Sequence, residues 1–130
     1  MTKEDLNKNT PSFTFSRSER LKSRKIIASL FRKRSYFNST PLRVYYINST
    51  EKEYNQVAFS VPKAKFKRAV DRNLLKRRMR EAYRLNKNLL STNNNRTYSI
   101  MFVFLSKEIE SFEKIEAATI QLIKKIANLA

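Results

Sequence analysis

The chain has 130 residues, of which 28 are Lys or Arg and 11 are Asp or Glu, giving a net charge of +17. Such a charge opposes compaction unless a polyanion binds, so nucleic acid is the leading partner class and an anionic membrane surface is the second. Cys, His and Gly are absent. Their absence excludes disulfides, thiolate or imidazole metal sites, Ser–His or Cys–His catalysis and glycine-rich phosphate loops.

The N-terminal residues are polar and carry no apolar core of the kind found in a secretion signal. Residues 1–12 are therefore predicted to be a disordered leader, and residues 13–130 a single domain. No apolar run approaches the roughly 20 residues that a membrane span needs, so we expect a cytoplasmic protein with no membrane contact. Phe13 and Phe15 alternate with polar residues, which favours an extended segment lying on the domain.

A short amphipathic helix is predicted over residues 23–34, with Ser23 as its N-cap. Eight basic residues and one acidic residue lie between Ser16 and Arg34, so this region is strongly cationic. The apolar positions recur at helical spacing and are Ile26, Ile27, Leu30 and Phe31. Most of them are expected to pack in a core. Without glycine, helix ends and turns are expected to use Asn, Asp and Ser.

Three β-rich runs follow the strand pattern, namely Leu42–Asn48, residues 56–61 and residues 98–105. The first two flank a polar turn, which predicts an antiparallel pair. The third is nearly all apolar, which predicts a central strand that is covered on at least one face. Alternation predicts that one face of the first strand carries Arg43, Tyr45 and Ile47.

A loop is predicted over residues 91–96 and an amphipathic helix over residues 111–129. The apolar repeat of that helix consists of Ile115, Ala118, Leu122, Ile126 and Leu129. From Lys107 to the C-terminus four Lys balance four Glu, so the positive charge is concentrated elsewhere. Together the elements predict an α/β (α+β) two-layer sandwich with one small mixed sheet and about three helices, in the order α-β-β-(β)-α-β-α.

The most informative segment is residues 63–87, which hold eleven basic and two acidic residues, a net charge of +9. On a helical projection the basic residues form one arc and the apolar residues form a neighbouring arc. The basic arc holds Arg72, Asn73, Lys76, Arg77, Arg80, Arg84 and Lys87. The apolar arc holds Leu75, Met79, Ala82 and Tyr83. The remaining positions, predicted to face solvent, are Leu74, Arg78, Glu81 and Leu85.

Such a stripe is suited to binding backbone phosphates, because Arg offers a planar donor fork and Lys a point charge. Asn73 has both a donor and an acceptor, which suit a base edge, a 2′-hydroxyl or a metal-bound water. The same residues would also fit an ordinary solvated face on which Asn73 makes a local cap. The single sign of the nearly unpaired charge disfavours that alternative.

The run AVDRNLLKRRMREAYR is similar to the signature of the ribonuclease P protein family, a basic helix that commonly reads Arg-Asn-Arg-x-Lys-Arg-x-x-Arg. The matching positions are Arg72, Asn73, Lys76, Arg77 and Arg80. FSVPKAKFKRAV resembles the strand and loop before that helix, and RLKSRKIIASLF resembles the N-terminal helix. The resemblance spans residues 13–126 and is strongest over residues 57–85. Leu74 departs from the third residue of the triplet, which puts any RNA contact made there in relatives in doubt.

The resemblance implies a left-handed strand–helix–strand crossover, an exception to the usual handedness, and two surfaces that face RNA. One surface would bind a catalytic RNA, and its residues would be Lys63, Lys65, Lys67, Arg68, Arg72, Asn73, Lys76, Arg77, Arg80 and Arg84. The other would be a cleft between the N-terminal helix and the sheet that holds the single-stranded 5′ leader of precursor tRNA.

The expected cleft residues are Ile27, Phe31, Arg43 and Tyr45. Phe31 and Tyr45 fall at positions that carry cleft aromatics in relatives, whereas Ile27 replaces another such aromatic. Two alternatives stay open at this point. Phe31 would equally suit burial under the helix, and Tyr45 would suit a half-exposed position on the sheet without an RNA contact.

The function that the resemblance implies is that of a non-catalytic protein subunit of an endoribonuclease. The complex would remove the tRNA leader by phosphodiester hydrolysis, with Mg²⁺ held mainly by the RNA and with no obligate protein partner. The acids of the chain are scattered and form no convincing paired-carboxylate metal site. A ribosomal or other structural RNA-binding protein is the main alternative. A DNA-binding or nucleoid protein and a protein-only nuclease are the others.

Overall fold

The computed structural model describes residues 15–48, 54–90 and 96–129. Within these ranges the chain forms helix α1 (Arg24–Lys33), strands β1 (Tyr36–Ser39), β2 (Leu42–Asn48) and β3 (Gln56–Ser60), helix α2 (Ala69–Asn86), strand β4 (Tyr98–Phe104) and helix α3 (Phe112–Ala127). Short 3-10 turns occupy Arg17–Glu19 and Lys87–Leu89. This order confirms the predicted α+β sandwich. The predicted leader, and all but Arg96 of the predicted loop at 91–96, lie outside the described residues.

The four strands form one mixed sheet in the order β1-β2-β4-β3. Strand β2 pairs antiparallel with both β1 and β4, whereas β3 runs parallel to β4. The predicted antiparallel pairing of β2 with β3 is therefore wrong, because β4 lies between them. Six of the seven residues of β4 are buried. Because β4 is central, this apolar strand has a neighbouring strand on each side. If β2 and β3 formed a hairpin, β4 would lie at an edge of the sheet.

The main core lies between one face of the sheet and helices α2 and α3. The predicted apolar arc of α2 is confirmed, since Leu75, Met79, Ala82 and Tyr83 are all buried there. The ring of Phe15 meets the rings of Phe59 and Tyr83 edge to face, with centroids 5.8 Å and 5.9 Å away. The N-terminal aromatic thus packs on the domain as expected, while Phe13 lies outside the described residues.

Helix α1 packs on the opposite face of the sheet. Its Leu30 is fully buried in a smaller cluster with Leu21 and with Met101 of β4. The Oγ of Ser23 accepts a hydrogen bond from the backbone N–H of Ile26 at 3.3 Å, which confirms the predicted N-cap. Because α1 is short and its cluster is small, part of this face stays accessible along β1 and β2. Within the described residues, no helix combines the length and apolar character that crossing a bilayer requires.

Two expectations about the helices are wrong, one about the end of α1 and one about the surface of α2. Arg34, the residue that caps the C-terminus of α1, adopts the left-handed conformation with φ of 52°, a role that we expected of Asn, Asp or Ser. Arg78 does not simply face solvent, because its Nη1 donates to the backbone carbonyl of Glu110. The segment before α3 passes close to this side of α2, and Arg78 therefore links α2 to that segment.

Candidate RNA interface

The first candidate surface is the basic side of α2 with the loop that precedes it. This surface combines exposed and half-buried cations, and its neutral member Asn73 is exposed. The other exposed members are Lys63, Lys65, Lys67, Arg68, Arg77 and Arg80. The half-buried members are Arg72, Lys76 and Arg84. Neighbours three or four residues apart on a helix lie side by side, so Asn73, Arg77 and Arg80 form a continuous row.

Arg72 is anchored in a way that the helical projection did not reveal. Its Nη1 donates to the backbone carbonyls of Phe66 and Lys67, both at 2.8 Å. Lys65 likewise donates to the carbonyl of Leu105. These two predicted RNA contacts therefore also hold the loop before α2 in place, and they fix where the exposed cations of that loop stand.

Arg84 is paired with an acid on its own helix. Its Nε donates to the Glu81 carboxylate at 3.0 Å, and a second guanidinium nitrogen contacts the other carboxylate oxygen. The hydrogen bond from Arg84 lowers the pKa of Glu81 below its ordinary value, and the same bond raises the pKa of Arg84. Glu81 therefore stays ionised at neutral pH, and it offsets part of the positive charge at this end of the stripe.

The second candidate surface lies on the α1 side of the sheet. Phe31 of α1 meets Tyr45 of β2 edge to face, with ring centroids 4.8 Å apart. Phe31 is 43% exposed, so the alternative of burial under the helix does not hold. Ile27 lies deeper, half-buried against the cluster of Leu21, Leu30 and Met101. The same helix carries exposed cations at Arg24, Lys25, Arg32 and Lys33, and Arg34 follows its last turn.

Arg43 completes this cleft and brings in two residues that sequence reasoning missed. Its Nε donates to Oδ1 of Asn38 at 2.7 Å, and its Cζ lies 4.4 Å from the ring centroid of Tyr36. Both partners belong to β1, a four-residue strand that the sequence left open. The Ser-Thr-Pro turn after Asn38 was the one signal available, because four residues are too few to show a distinctive alternation.

The predicted sharing of one face by Arg43, Tyr45 and Ile47 is consistent with the packing, since Tyr45 and Ile47 both pack on the α1-side cluster. The predicted site residues thus fall into two groups. The α2 residues belong to a helix that packs on one face of the sheet, and the cleft residues lie on the other. A polyanion that contacts both groups must therefore be large or consist of two molecules.

Comparison with known sequences identifies the family of the chain. The profile of the family described as Ribonuclease P matches residues 15–127. The chain belongs to the ribonuclease P protein family. Proteins named ribonuclease P protein component are similar to it over most of both lengths. The one from Porphyromonas gingivalis W83 is 40% identical over 122 residues, covering 90% of this chain and 89% of that protein. The one from Mycoplasma genitalium is 29% identical, covering 93% and 90%.

Solved structures of ribonuclease P proteins share the fold. The protein from Staphylococcus aureus has a TM-score of 0.70 at 22% identity, with 85% of this chain and 95% of that chain covered. The protein from Thermotoga maritima has a TM-score of 0.69 at 22% identity, with coverage of 83% and 97%. Membership of this family favours ribonuclease P over a ribosomal protein, a nucleoid protein and a protein-only nuclease, because none of these alternatives explains it.

Proposed function

We propose that the chain is the protein subunit of a ribonuclease P ribonucleoprotein that matures the 5′ end of tRNA. In this proposal the basic side of α2 binds the catalytic RNA, and the cleft beside α1 binds the 5′ leader of precursor tRNA. The observation that carries the proposal is the contact of exposed Phe31 with half-buried Tyr45, with Arg43 beside it, on the sheet face opposite the basic helix. Family membership supports the assignment to ribonuclease P.

The exposed row on α2 suits a structured RNA. The row is rigid because the apolar side of the helix is fixed in the core, so its cations meet phosphates in a constant register. Arg77 and Arg80 are exposed and Lys76 is half-buried beside them. Their role is to neutralise phosphate repulsion where the catalytic RNA and its substrate come together. Asn73, in the same row, is suited to a 2′-hydroxyl or a base edge.

The cleft suits a single strand. Unpaired bases stack on exposed aromatic rings, and neighbouring cations hold the sugar–phosphate backbone. Phe31 and Tyr45 provide the rings, and α1, the helix that carries Phe31, also provides the exposed cations. A duplex would not present its base faces to these rings. The cleft therefore distinguishes precursor tRNA, which has a leader, from mature tRNA, which has none.

The proposal assigns the magnesium chemistry to the RNA. Among the described residues, no group of three or more carboxylate or other ligating side chains comes together. We propose that the Mg²⁺ needed for phosphodiester hydrolysis is held mainly by the RNA subunit, and that the protein binds and orients the substrate. Its contribution to cleavage is expected to be greatest at low Mg²⁺, where phosphate repulsion is least screened, and to shrink at high ionic strength.

The proposal is tested by reconstituting the protein with the catalytic RNA of its source organism and assaying cleavage of precursor tRNA at low Mg²⁺. Tyr45→Ala is expected to weaken binding of precursor tRNA by about tenfold, because one stacking contact is worth about 1–3 kcal/mol. Binding of mature tRNA should not change. The matched control is Tyr54→Ala, since Tyr54 is an exposed tyrosine that the cleft does not include. Equal losses of binding for precursor and mature tRNA would show that the cleft does not bind the leader.

A further inference from the structure

The edge strand β1 forms a second cluster next to the Phe31–Tyr45 pair. In the β1–β2 register Tyr36 is the partner of Tyr45, and Asn38 is the partner of Arg43. Directly opposed residues in an antiparallel pair point to the same face, so Tyr36 and Asn38 extend the cleft toward the edge of the sheet. Tyr36 is 40% exposed and its ring lies 5.6 Å from that of Tyr45.

Three contacts hold the guanidinium of Arg43 in one orientation. Its Nε donates to Oδ1 of Asn38 at 2.7 Å, and its Nη1 donates to the hydroxyl oxygen of Tyr45 at 3.3 Å. Its plane is also supported by the Tyr36 ring, with Cζ 4.4 Å from the centroid. A long side chain that is already fixed loses little conformational entropy when a ligand binds, and this favours selective recognition.

The donors that remain at this cluster determine which base it fits. A guanidinium has five N–H groups, and the two bonds to Asn38 and Tyr45 use two of them. Because Nε can only donate, the amide of Asn38 must turn its oxygen toward Arg43 and its own N–H donors elsewhere. The accessible side-chain polar groups of Arg43 and Asn38 are therefore hydrogen-bond donors, whereas the backbone carbonyl of Asn38 accepts from Nζ of Lys125 at 3.4 Å.

A surface made of donors matches an edge made of acceptors. Guanine presents two adjacent acceptors, O6 and N7, and a planar arginine fork binds them as a pair. Adenine presents an amino donor next to N7, which would face the donors of Arg43. Tyr36 and Tyr45 supply ring surface beside the fork for an unpaired base.

We propose that Tyr36, Asn38 and Arg43 form a guanine-selective nucleotide subsite at the β1 edge of the leader cleft. This inference rests on the proposed function, and it adds a base preference that the Phe31–Tyr45 pair alone does not provide. Arg43 reads the base edge and Tyr36 supports the guanidinium. Asn38 is a positioning residue, because it acts by orienting Arg43.

The test uses the reconstituted holoenzyme and precursor tRNAs whose leaders contain a single purine in an otherwise uridine sequence. The purine is guanosine, adenosine or 7-deazaguanosine, placed in turn at each of the leader positions. We expect one position at which guanosine improves binding about tenfold over adenosine, the size of effect expected of a bidentate contact. Replacing N7 with carbon in 7-deazaguanosine should remove most of that gain. The RNA subunit alone, assayed at high Mg²⁺, should show no such preference.

Arg43→Lys keeps the charge but removes the fork, so it should abolish the preference for guanosine while all-uridine leaders still bind. Asn38→Ala should reduce the preference less, and Lys124→Ala on α3 should leave it intact. A uniform loss on every leader with Arg43→Lys would make Arg43 a phosphate contact and overturn the guanine assignment. Equal binding of guanosine and adenosine at every position would also overturn it. If precursor is still favoured over mature tRNA in that case, only the subsite fails, and the leader cleft stands.

Discussion

The guanidinium of Arg72 donates a hydrogen bond to the backbone carbonyl of Phe66 at 2.8 Å, across the start of α2. The same nitrogen reaches the carbonyl of Lys67 at 2.8 Å. The N-cap of α2, Arg68, makes no side-chain capping bond. Arg72 therefore joins the helix to its preceding loop, in addition to the RNA contact that we predict for it from the resemblance to the family signature.

We predict that Arg72→Ala destabilises the free protein by about 1.5 kcal/mol, because it removes a charged donor from two carbonyls. Thermal or urea unfolding without RNA measures this loss. Arg77→Ala is the matched control, since Arg77 is exposed on the same helix and should change stability by less than about 0.5 kcal/mol. Equal stability of the two variants would show that the Arg72 bonds contribute nothing to the fold.

A second prediction concerns the salt dependence of binding to the catalytic RNA. Lys76→Ala with Arg80→Ala should weaken binding and should reduce the slope of log affinity against log salt by about 1.5, if each residue neutralises one phosphate. Filter binding over a range of KCl concentrations measures the slope. The control is Lys107→Ala with Lys124→Ala, which removes the same charge from exposed positions outside α2. A similar change of slope in both double variants would mean that overall charge, not the α2 row, sets affinity.

A third prediction follows from the Glu81–Arg84 pair. Since Arg84 lowers the pKa of Glu81, the carboxylate is ionised throughout the neutral range and opposes phosphate binding there. Glu81→Gln should therefore tighten binding to the catalytic RNA and steepen the salt slope by up to about 0.9, one phosphate contact. Glu108→Gln makes the same change of charge at an exposed position away from α2 and should have less effect. Unchanged or weaker binding by Glu81→Gln would count against RNA contact at this end of the helix.

The sequence predicted best the helices in which the apolar repeat continues over several turns. Helix α2 buries Leu75 and Met79 as its projection required, and α3 buries Ile115 and Ile126. Both helices pack one continuous apolar side on the sheet, so local spacing alone determines which side is buried.

Pairing between distant segments could not be obtained in the same way. The sequence placed the strand at Gln56–Ser60 against its neighbour along the chain, because adjacent strands often form hairpins. In the structure it pairs with β4, more than a helix length further along. The pairing of the strands depends on how much free energy each strand would lose at an exposed edge, and this is a property of the whole sheet. Tyr36 and Asn38 were missed for a related reason, since β1 is too short for its periodicity to be distinctive.

Polar contacts between distant residues were the other feature that the sequence could not predict. In projection Lys87 belonged to the basic arc and Arg78 to the positions facing solvent, but each contacts a distant acidic residue or its backbone. Arg78 donates to the Glu110 carbonyl, and the Nζ of Lys87 lies 2.7 Å from one carboxylate oxygen of Glu19. A cation count therefore overstates the surface that α2 offers to RNA.

The last prediction concerns the Lys87–Glu19 ion pair. Its side chains are only 10% and 19% exposed, so breaking the pair leaves a charge that is largely removed from solvent. Glu19→Gln should lower the free energy of unfolding by about 2 kcal/mol, less than for a fully buried pair because some exposure remains. Combining it with Lys87→Met should cost less than the sum of the two single changes. Urea unfolding of all four proteins completes the cycle.

The Glu110–Lys114 pair provides the comparison for that cycle. Its Nζ–carboxylate distance is 3.4 Å and the Lys114 side chain is 72% exposed, so solvent already screens it. Lys114→Met is expected to change stability by less than about 0.5 kcal/mol. Losses of similar size at Glu19 and Lys114 would show that burial does not strengthen the Lys87 pair. In that case the N-terminal turn Arg17–Glu19 would be held to the domain by the packing of Phe15 on Phe59 and Tyr83 and by the hydrogen bond from Nε2 of Gln56 to the Ser18 carbonyl.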